Sequence, residues 1–201
     1  MYRLIESIKF AKKEFHNLAS HQQRMNKTRK ELFGLDDEIN LATELKLPAG
    51  LSDSVFKCRV IYSENILAVE FHPYEQRNLK SLQIVHADEM DYSYKYEDRS
   101  KLQKLLCKCT ADDVLIIKNG FVTDTSYSNI VLSKGSKFFT PDTYLLNGTK
   151  RQKLLDENII EQAKITVADI AGYEKVFIIN SMKDLEKQLG IPVANIKGLD
   201  T

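Results

Sequence analysis

The sequence has few cysteines and no long apolar run, and each shortage excludes a class of protein. Three cysteines in 201 residues are an odd set that argues against a disulfide scaffold and favours a reducing, cytoplasmic setting. Cys107 and Cys109 lie too close together for the usual zinc spacing, so no metal site is predicted. The longest apolar runs, such as 114–117 and 176–179, are far shorter than a membrane-spanning helix. The first residues lack the basic start and apolar core of a signal peptide.

Net charge is also nearly absent. The chain has 29 Lys and Arg against 28 Asp and Glu, a formal charge of +1, which gives no bulk attraction to nucleic acid or anionic membranes. The basic residues of the helix predicted over about 18–33 are spread around the helix and do not form one face. With 43% hydrophobic and 28% charged residues, the composition is that of an ordinary globular protein. We therefore expect neither a nucleic-acid partner nor a membrane partner.

Strands and helices alternate along the chain, which predicts the α/β or α+β class. Helical spacing of apolar residues predicts a helix over about 18–33 that ends at Gly34, and Asp36 or Asp37 is suited to cap the next helix. A soft boundary between about 85 and 96 divides the chain into domains 1–90 and 91–201. Strands are predicted at 4–10, 55–62, 66–71, 81–85, 114–117, 121–123, 129–132, 137–140 and 176–179, and further helices near 102–106, 150–158 and 184–189.

Lys95 is the first residue that stands out chemically, because it lies among three tyrosines between a predicted strand and a predicted helix. Aromatic neighbours reduce the solvation of an ammonium group, and a lowered pKa makes the amine a nucleophile towards carbonyl groups. The alternative is a surface lysine whose tyrosine neighbours cover the core. Composition leaves both interpretations open.

Two further segments are suited to bind phosphate. In Asn147-Gly148-Thr149-Lys150-Arg151 a turn opens directly into a helix, whose first N–H groups, together with a hydroxyl and two cations, are suited to an anion. The alternative is a plain helix cap with Lys150 and Arg151 in solvent. Asn180-Ser181-Met182 follows a buried strand, which is where α/β proteins often bind ligands. It is a second candidate phosphate contact or, again, only a cap.

Asp124 lies in an unusually polar stretch, 122–129, between two predicted strands. A carboxylate among so many hydrogen-bond donors is well placed to bind a cationic ring nitrogen. Alternatively, the stretch is a turn whose Asp and Ser side chains bond to their own backbone.

Taken in this order, the segments resemble the class IV aminotransferases, the fold-type IV family of pyridoxal 5′-phosphate enzymes. The likeness runs from Leu4-Ile5-Glu6-Ser7-Ile8 to about residue 185 and is most specific at 120–132 and 145–155. It implies a two-domain fold of the D-amino-acid aminotransferase type, with a small amino-terminal α/β domain, a larger carboxy-terminal one, the cofactor in the cleft between them, and a homodimer. The chain begins later than the family pattern, so we expect a shortened amino terminus and a substrate pocket that is partly absent or rebuilt.

The resemblance also implies a role for particular residues. Lys95 corresponds to the lysine that bonds to the cofactor and moves the proton at the substrate Cα, and Asp124 to the acid that binds the ring nitrogen. Arg24, in a polar stripe with His21 and Thr28 on the first helix, corresponds to the arginine that holds the cofactor phosphate. Asp124 is shorter than the family's usual glutamate. The further phosphate contacts implied are Gly148, Thr149, Lys150 (a threonine in many relatives), Ser181 and Met182.

Two motifs resemble the lyase branch of the family. These are Asn147-Gly148-x-x-Arg151-Gln152 and Lys95-x-x-x-Arg99, and they favour 4-amino-4-deoxychorismate lyase, an enzyme of folate biosynthesis that releases 4-aminobenzoate and pyruvate. An aminotransferase of the branched-chain or D-amino-acid type is the alternative, and both would take a small amino-acid-like substrate. A cofactor-free binding protein on the same fold is a third hypothesis.

Overall fold

A computed structural model of the protein describes residues 2–199. The chain forms two compact units. Unit 1 comprises residues 2–76 and 94–98, and unit 2 comprises residues 77–93 and 99–199. The mixed α/β class is confirmed, whereas the division into domains 1–90 and 91–201 stays a prediction. No helix of the described residues is long and apolar enough to cross a membrane.

Unit 1 is an antiparallel sheet with two helices, and its strand order is β2-β1-β3-β4. Helix α1 ends where Gly34 adopts a left-handed conformation with φ of 71°, as the sequence predicted. The predicted cap of the next helix is wrong: Asn40 caps it by accepting from Ala42 N, because Asp36 pairs with Lys30 and Asp37 with Arg29 instead. The elements are β1 (Leu4–Ala11), β2 (Glu14–Phe15), α1 (Leu18–Phe33), α2 (Leu41–Glu44), β3 (Phe56–Tyr62) and β4 (Ile66–Pro73).

The segment that contains Lys95 belongs to unit 1 and lies along the start of β1. Ile5 N donates to Lys95 O at 2.9 Å, and Glu97 N donates to Arg3 O at 2.9 Å. These bonds join the segment to β1 as a short antiparallel addition, so the backbone of Lys95 is fixed by the sheet although the sequence indicates only a loop.

Unit 2 contains two sheets whose facing sides share one apolar core. The orders are β13-β5-β6-β7 and β10-β9-β8-β11-β12, and the core cluster draws residues from both sheets, including Leu115, Ile130 and Ile178. The outer face of the first sheet packs against α3 and that of the second against α4. The elements are β5 (Leu82–His86), α3 (Ser100–Leu106), β6 (Asp113–Lys118), β7 (Phe121–Val122), β8 (Asn129–Lys134), β9 (Lys137–Pro141), α4 (Thr149–Asp156), β10 (Glu161–Ala163), β11 (Lys175–Ile179), β12 (Ile191–Pro192) and β13 (Ile196–Lys197).

The strands predicted from the sequence are confirmed with small differences at their ends, and the short strands β2, β10, β12 and β13 were not predicted. The helix predicted at 184–189 is wrong in extent, since only one 3₁₀ turn, Leu185–Lys187, forms there. The side chain of Gln188 instead bonds to the backbone of Ile178 and to Asp184 O. These bonds hold the chain against β11 and end the turn.

Candidate active site

In unit 1, the side chains of Arg24 and His21 form a polar cluster with Glu6. Arg24 Nε donates to Glu6 Oε1 at 2.9 Å and Arg24 Nη2 to Glu6 Oε2 at 2.5 Å. His21 Nδ1 lies 2.6 Å from the same Oε2. His21 and Arg24 reach one carboxylate because residues three apart share a helix face. The sequence identified the stripe on α1 but not its partner on β1.

The charges of this cluster are set by its burial and by its internal bonds. Burial alone would raise the pKa of Glu6, but the charge of Arg24 and the hydrogen bonds from His21 and Arg24 lower it from 4.5 to about 2. Burial lowers the pKa of His21 in spite of Glu6, which acts to raise it. At neutral pH Glu6 is therefore ionised and His21 is neutral, with a proton on Nδ1 because a carboxylate only accepts.

Lys95 lies close enough to this cluster for the two to interact electrostatically. Its positive charge contributes to the lowered pKa of His21, and its side chain is half-buried. Tyr94 and Tyr96 pack against the apolar core of unit 1, with their rings 6.1 Å apart in an edge-on contact. These two tyrosines therefore cover the core on either side of Lys95 in the chain, and the charge of Lys95 acts on His21.

In unit 2, Asp124 is a buried carboxylate held by three donors. Asn129 Nδ2 donates to its Oδ1 at 2.8 Å, and the backbone N–H groups of Leu145 and Leu146 donate to its Oδ2, both at 3.0 Å. Burial outweighs these bonds and raises the pKa of Asp124 from 3.8 to about 6. A carboxylate offers about four acceptor positions, so these donors leave one on Oδ1. A cationic N–H donor would satisfy that position and stabilise the charge.

Gly148 brings the start of α4 against the residue that supports Asp124. A Cβ at Gly148 would lie 1.9 Å from Asn129 Oδ1, a distance that no side chain tolerates. Asn129 Nδ2 donates to Leu146 O at 2.8 Å as well as to Asp124, so the amide cannot move away without breaking bonds. The first N–H groups of a helix have no acceptor within the helix. The glycine therefore allows the start of α4, at Thr149, to lie next to Asn129, the residue that supports Asp124.

Lys150 and Arg151 are both engaged within unit 2, so the alternative in which they extend into solvent is wrong. Lys150 Nζ donates to Asp184 Oδ1, and both side chains are largely buried. Arg151 donates to Asn147 Oδ1 and Pro141 O at 3.2 and 2.9 Å. The bond from Lys150 to Asp184 ties α4 to the chain that follows β11.

The loop after β11 is tied to the Asp124 segment through Asn180. Asn180 Nδ2 donates to Ser128 Oγ at 2.8 Å, and Asn180 Oδ1 accepts from Met182 N at 2.8 Å. The N–H of Met182 is thus already bonded, which does not favour the predicted phosphate contact at this residue. Ser181 lies in the same loop.

Three residues near Asp124 were not predicted as site residues. Ser126 Oγ is buried without a hydrogen-bond partner, and Arg99 donates to Ser126 O while its guanidinium stacks 4.2 Å from the centre of the Tyr127 ring. Asn129 supports Asp124. The sequence features that could have indicated these residues are the Lys95-x-x-x-Arg99 spacing and the polar stretch 122–129.

The predicted site residues thus fall into two groups. Unit 1 brings together Arg24 and Lys95 with the unpredicted Glu6. Unit 2 holds Asp124, Gly148, Thr149, Lys150, Ser181 and Met182. Within the described part of the chain, no group of three or more His, Cys, Asp or Glu side chains could hold a metal ion.

Comparison with known proteins gives consistent matches over most of the chain. A family model described as amino-transferase class IV matches residues 93–193. An uncharacterized protein of Haemophilus influenzae (strain Rd) is 35% identical over 188 residues, 92% of this chain and 100% of that protein. The crystal structure of a proposed 4-amino-4-deoxychorismate lyase from Haemophilus somnus 129PT is 31% identical, with a TM-score of 0.82 over 92% of this chain and 98% of the other. A hypothetical aminotransferase from Mycobacterium tuberculosis, in its PLP-bound form, shares the fold at 18% identity, with a TM-score of 0.73 over 98% of this chain and 82% of the other.

Proposed function

The chain belongs to the class IV aminotransferases, a family of enzymes that depend on pyridoxal phosphate, and we propose that it acts as a 4-amino-4-deoxychorismate lyase. Asp124 is the observation that carries the cofactor-binding part of this proposal. It is a buried carboxylate with one remaining acceptor position, and its support at Asn129 touches the first residue before α4. A ring nitrogen and a phosphate are the two ends of one cofactor, and this arrangement offers a partner to each.

The residues of the chain fit pyridoxal phosphate. In unit 2, the start of α4 at Gly148 and Thr149 provides backbone N–H donors of the kind that bind phosphate. The Lys150 ammonium is paired with Asp184, so its backbone N–H is the group that we assign to the phosphate. Ser181 contributes from the loop after β11. Unit 1 supplies the guanidinium of Arg24, which is suited to a dianion.

The bound cofactor supplies an aldehyde that bonds to amines and a ring that accepts electrons from the bond being broken. Lys95 would hold the cofactor through a bond from its amine to that aldehyde, and once the substrate amine displaces it, the freed Lys95 amine would take the proton from the substrate Cα as a general base. Asp124 would accept the hydrogen bond of the ring nitrogen and so keep the proton on it. Arg24 would bind the phosphate through its guanidinium, and the start of α4 would bind it through backbone N–H groups.

The lyase-type motifs support 4-amino-4-deoxychorismate as the substrate. They are Asn147-Gly148-x-x-Arg151-Gln152 and Lys95-x-x-x-Arg99, and the Haemophilus somnus protein, 31% identical, is itself a proposed lyase of this substrate. The reaction would release 4-aminobenzoate and pyruvate. We also propose that the enzyme is a cytoplasmic homodimer, since the family resemblance implies a dimer and the three cysteines suit a reducing compartment.

The test combines cofactor uptake with product formation. Purified protein is incubated with pyridoxal phosphate, reduced with borohydride and mapped by mass spectrometry, and in parallel it is given aminodeoxychorismate while the fluorescence of 4-aminobenzoate is followed. We expect the label on Lys95 and production of 4-aminobenzoate. Lys95→Ala is expected to abolish both, whereas Lys101→Ala, an exposed lysine on α3, should leave them unchanged.

The alternatives give different results in the same assays. Cofactor uptake without 4-aminobenzoate, together with amino-group transfer from D- or L-amino acids to 2-oxoglutarate, would identify an aminotransferase and overturn the lyase assignment. Protein that takes up no pyridoxal phosphate would favour a cofactor-free binding protein on this fold, and the enzymatic proposal would fail.

A further inference from the structure

Glu6 occupies a position on β1 where an apolar residue is expected. Leu4, Glu6 and Ile8 share one face of the strand, and all three have 0% exposure. Leu4 and Ile8 belong to the apolar core of unit 1. A carboxylate in such a place loses its hydration, and a buried ion pair replaced as a whole by well-packed apolar side chains of similar volume is often at least as stable. Stability alone therefore does not explain the charge at residue 6.

The bonds that Glu6 makes fix the orientation of the Arg24 guanidinium. Glu6 binds Arg24 side-on through Nε and Nη2, which fixes the plane of the group and directs Nη1 away from the carboxylate. His21 Nδ1 contacts Glu6 Oε2 at 2.6 Å and so prevents the carboxylate from rotating. Glu6 on β1 therefore holds the side chains of both His21 and Arg24, and the same strand fixes the backbone of Lys95.

We propose that Glu6 is a positioning residue, which orients the Arg24 guanidinium to bind the phosphate of the cofactor and is itself held in place by His21. The proposal rests on the proposed function, because it requires that Arg24 binds that phosphate. A positioning role and a purely electrostatic role of Glu6 predict opposite changes in anion binding when the Glu6 charge is removed. If Glu6 only neutralised Arg24, removing its charge would strengthen anion binding; if Glu6 orients Arg24, removing it weakens anion binding.

The test compares pyridoxal phosphate with pyridoxal, which lacks the phosphate, in equilibrium binding followed by absorbance. We expect Glu6→Gln to raise the Kd of pyridoxal phosphate about tenfold, as loss of one well-aimed charged hydrogen bond would, and to leave the Kd of pyridoxal unchanged. Glu6→Asp keeps the charge but withdraws the carboxylate by one methylene, and it should weaken pyridoxal phosphate in the same way. This second variant keeps the test decisive if Glu6→Gln does not fold.

Glu70 provides a matched control in the same sheet. Its carboxylate also contacts one arginine and one histidine, Arg59 at 3.1 Å and His72 at 3.0 Å, but its side chain is 37% exposed. Glu70→Gln should leave both Kd values unchanged.

The possible failures are distinguishable. Tighter binding of pyridoxal phosphate by Glu6→Gln, unchanged binding by Glu6→Asp, or equal weakening of both ligands would overturn the positioning role. A wild-type protein that binds neither ligand would instead overturn the proposed function.

Discussion

Replacing Gly148 by alanine tests the contact that joins α4 to the support of Asp124. The new Cβ would lie 1.9 Å from Asn129 Oδ1 and 3.2 Å from Asn129 Cγ, whereas ordinary contact begins at 3.4 Å. Backbone strain is not involved, because φ of −73° and ψ of 140° suit any residue. The side chain of Asn129 must therefore move, and its bonds to Asp124 Oδ1 and Leu146 O are at risk.

The cost follows from these two effects. Overpacking of a well-packed site costs about 1–3 kcal/mol, and each hydrogen bond lost adds about 1 kcal/mol. We expect Gly148→Ala to lower the free energy of unfolding by about 2–4 kcal/mol, and Tm by roughly 5–15 °C for a chain of this size. Urea and thermal unfolding of the protein without cofactor measure both quantities.

Gly172→Ala is the matched control, since a Cβ there would meet no atom within 4 Å. We expect it to be neutral or to stabilise the protein by up to about 1 kcal/mol. The double variant Gly148→Ala with Asn129→Ala removes the clashing oxygen, so it should lose less stability than the two single variants together. A Gly148→Ala protein as stable as Gly172→Ala, or strictly additive losses in the double variant, would refute the reasoning.

Two further predictions concern charged residues of unit 2. The pKa of Asp124 rises from 3.8 to about 6 on folding, so the folded state holds this proton more tightly than the unfolded state and the carboxyl's contribution to stability falls as pH rises from about 4 to about 6. Relative to Asp124→Asn, wild-type protein should lose up to about 3 kcal/mol of unfolding free energy across this range, measured by urea unfolding. If the unfolding free energies of the two proteins change in parallel with pH, the raised pKa of Asp124 is contradicted. Lys150→Ala breaks the partly buried ion pair with Asp184 and should lower the free energy of unfolding by about 1–2 kcal/mol. The control Lys153→Ala loses only an exposed ion pair with Glu157 and should lower it by less than about 0.5 kcal/mol. Equal losses in the two variants would show that the Lys150–Asp184 pair does not stabilise the start of α4.

Local pattern was sufficient to predict most of the elements of this chain. The apolar spacing of α1 and its stop at Gly34 lie within one stretch of sequence, and so do the branched apolar runs of β6, β8 and β11. The order of Arg24, Lys95, Asp124 and Gly148 was enough to recognise the family. These features depend on residues close together in the chain, which is the range over which periodicity and capping act.

Long-range packing decided the partners, charge and orientation of those residues. Glu6 meets His21 and Arg24 only after β1 and α1 pack, and Lys95 is fixed by a backbone bond to Ile5 on a strand far away in sequence. Asp124 acquires its raised pKa from burial, and the need for glycine at 148 comes from an amide that packs against it from β8. A short stretch of sequence predicts neither the burial of a side chain nor its contact with a distant segment. The sequence therefore determined which chemical groups the protein has, and the tertiary structure decided their charges, partners and orientation, because these depend on which distant side chains exclude water together.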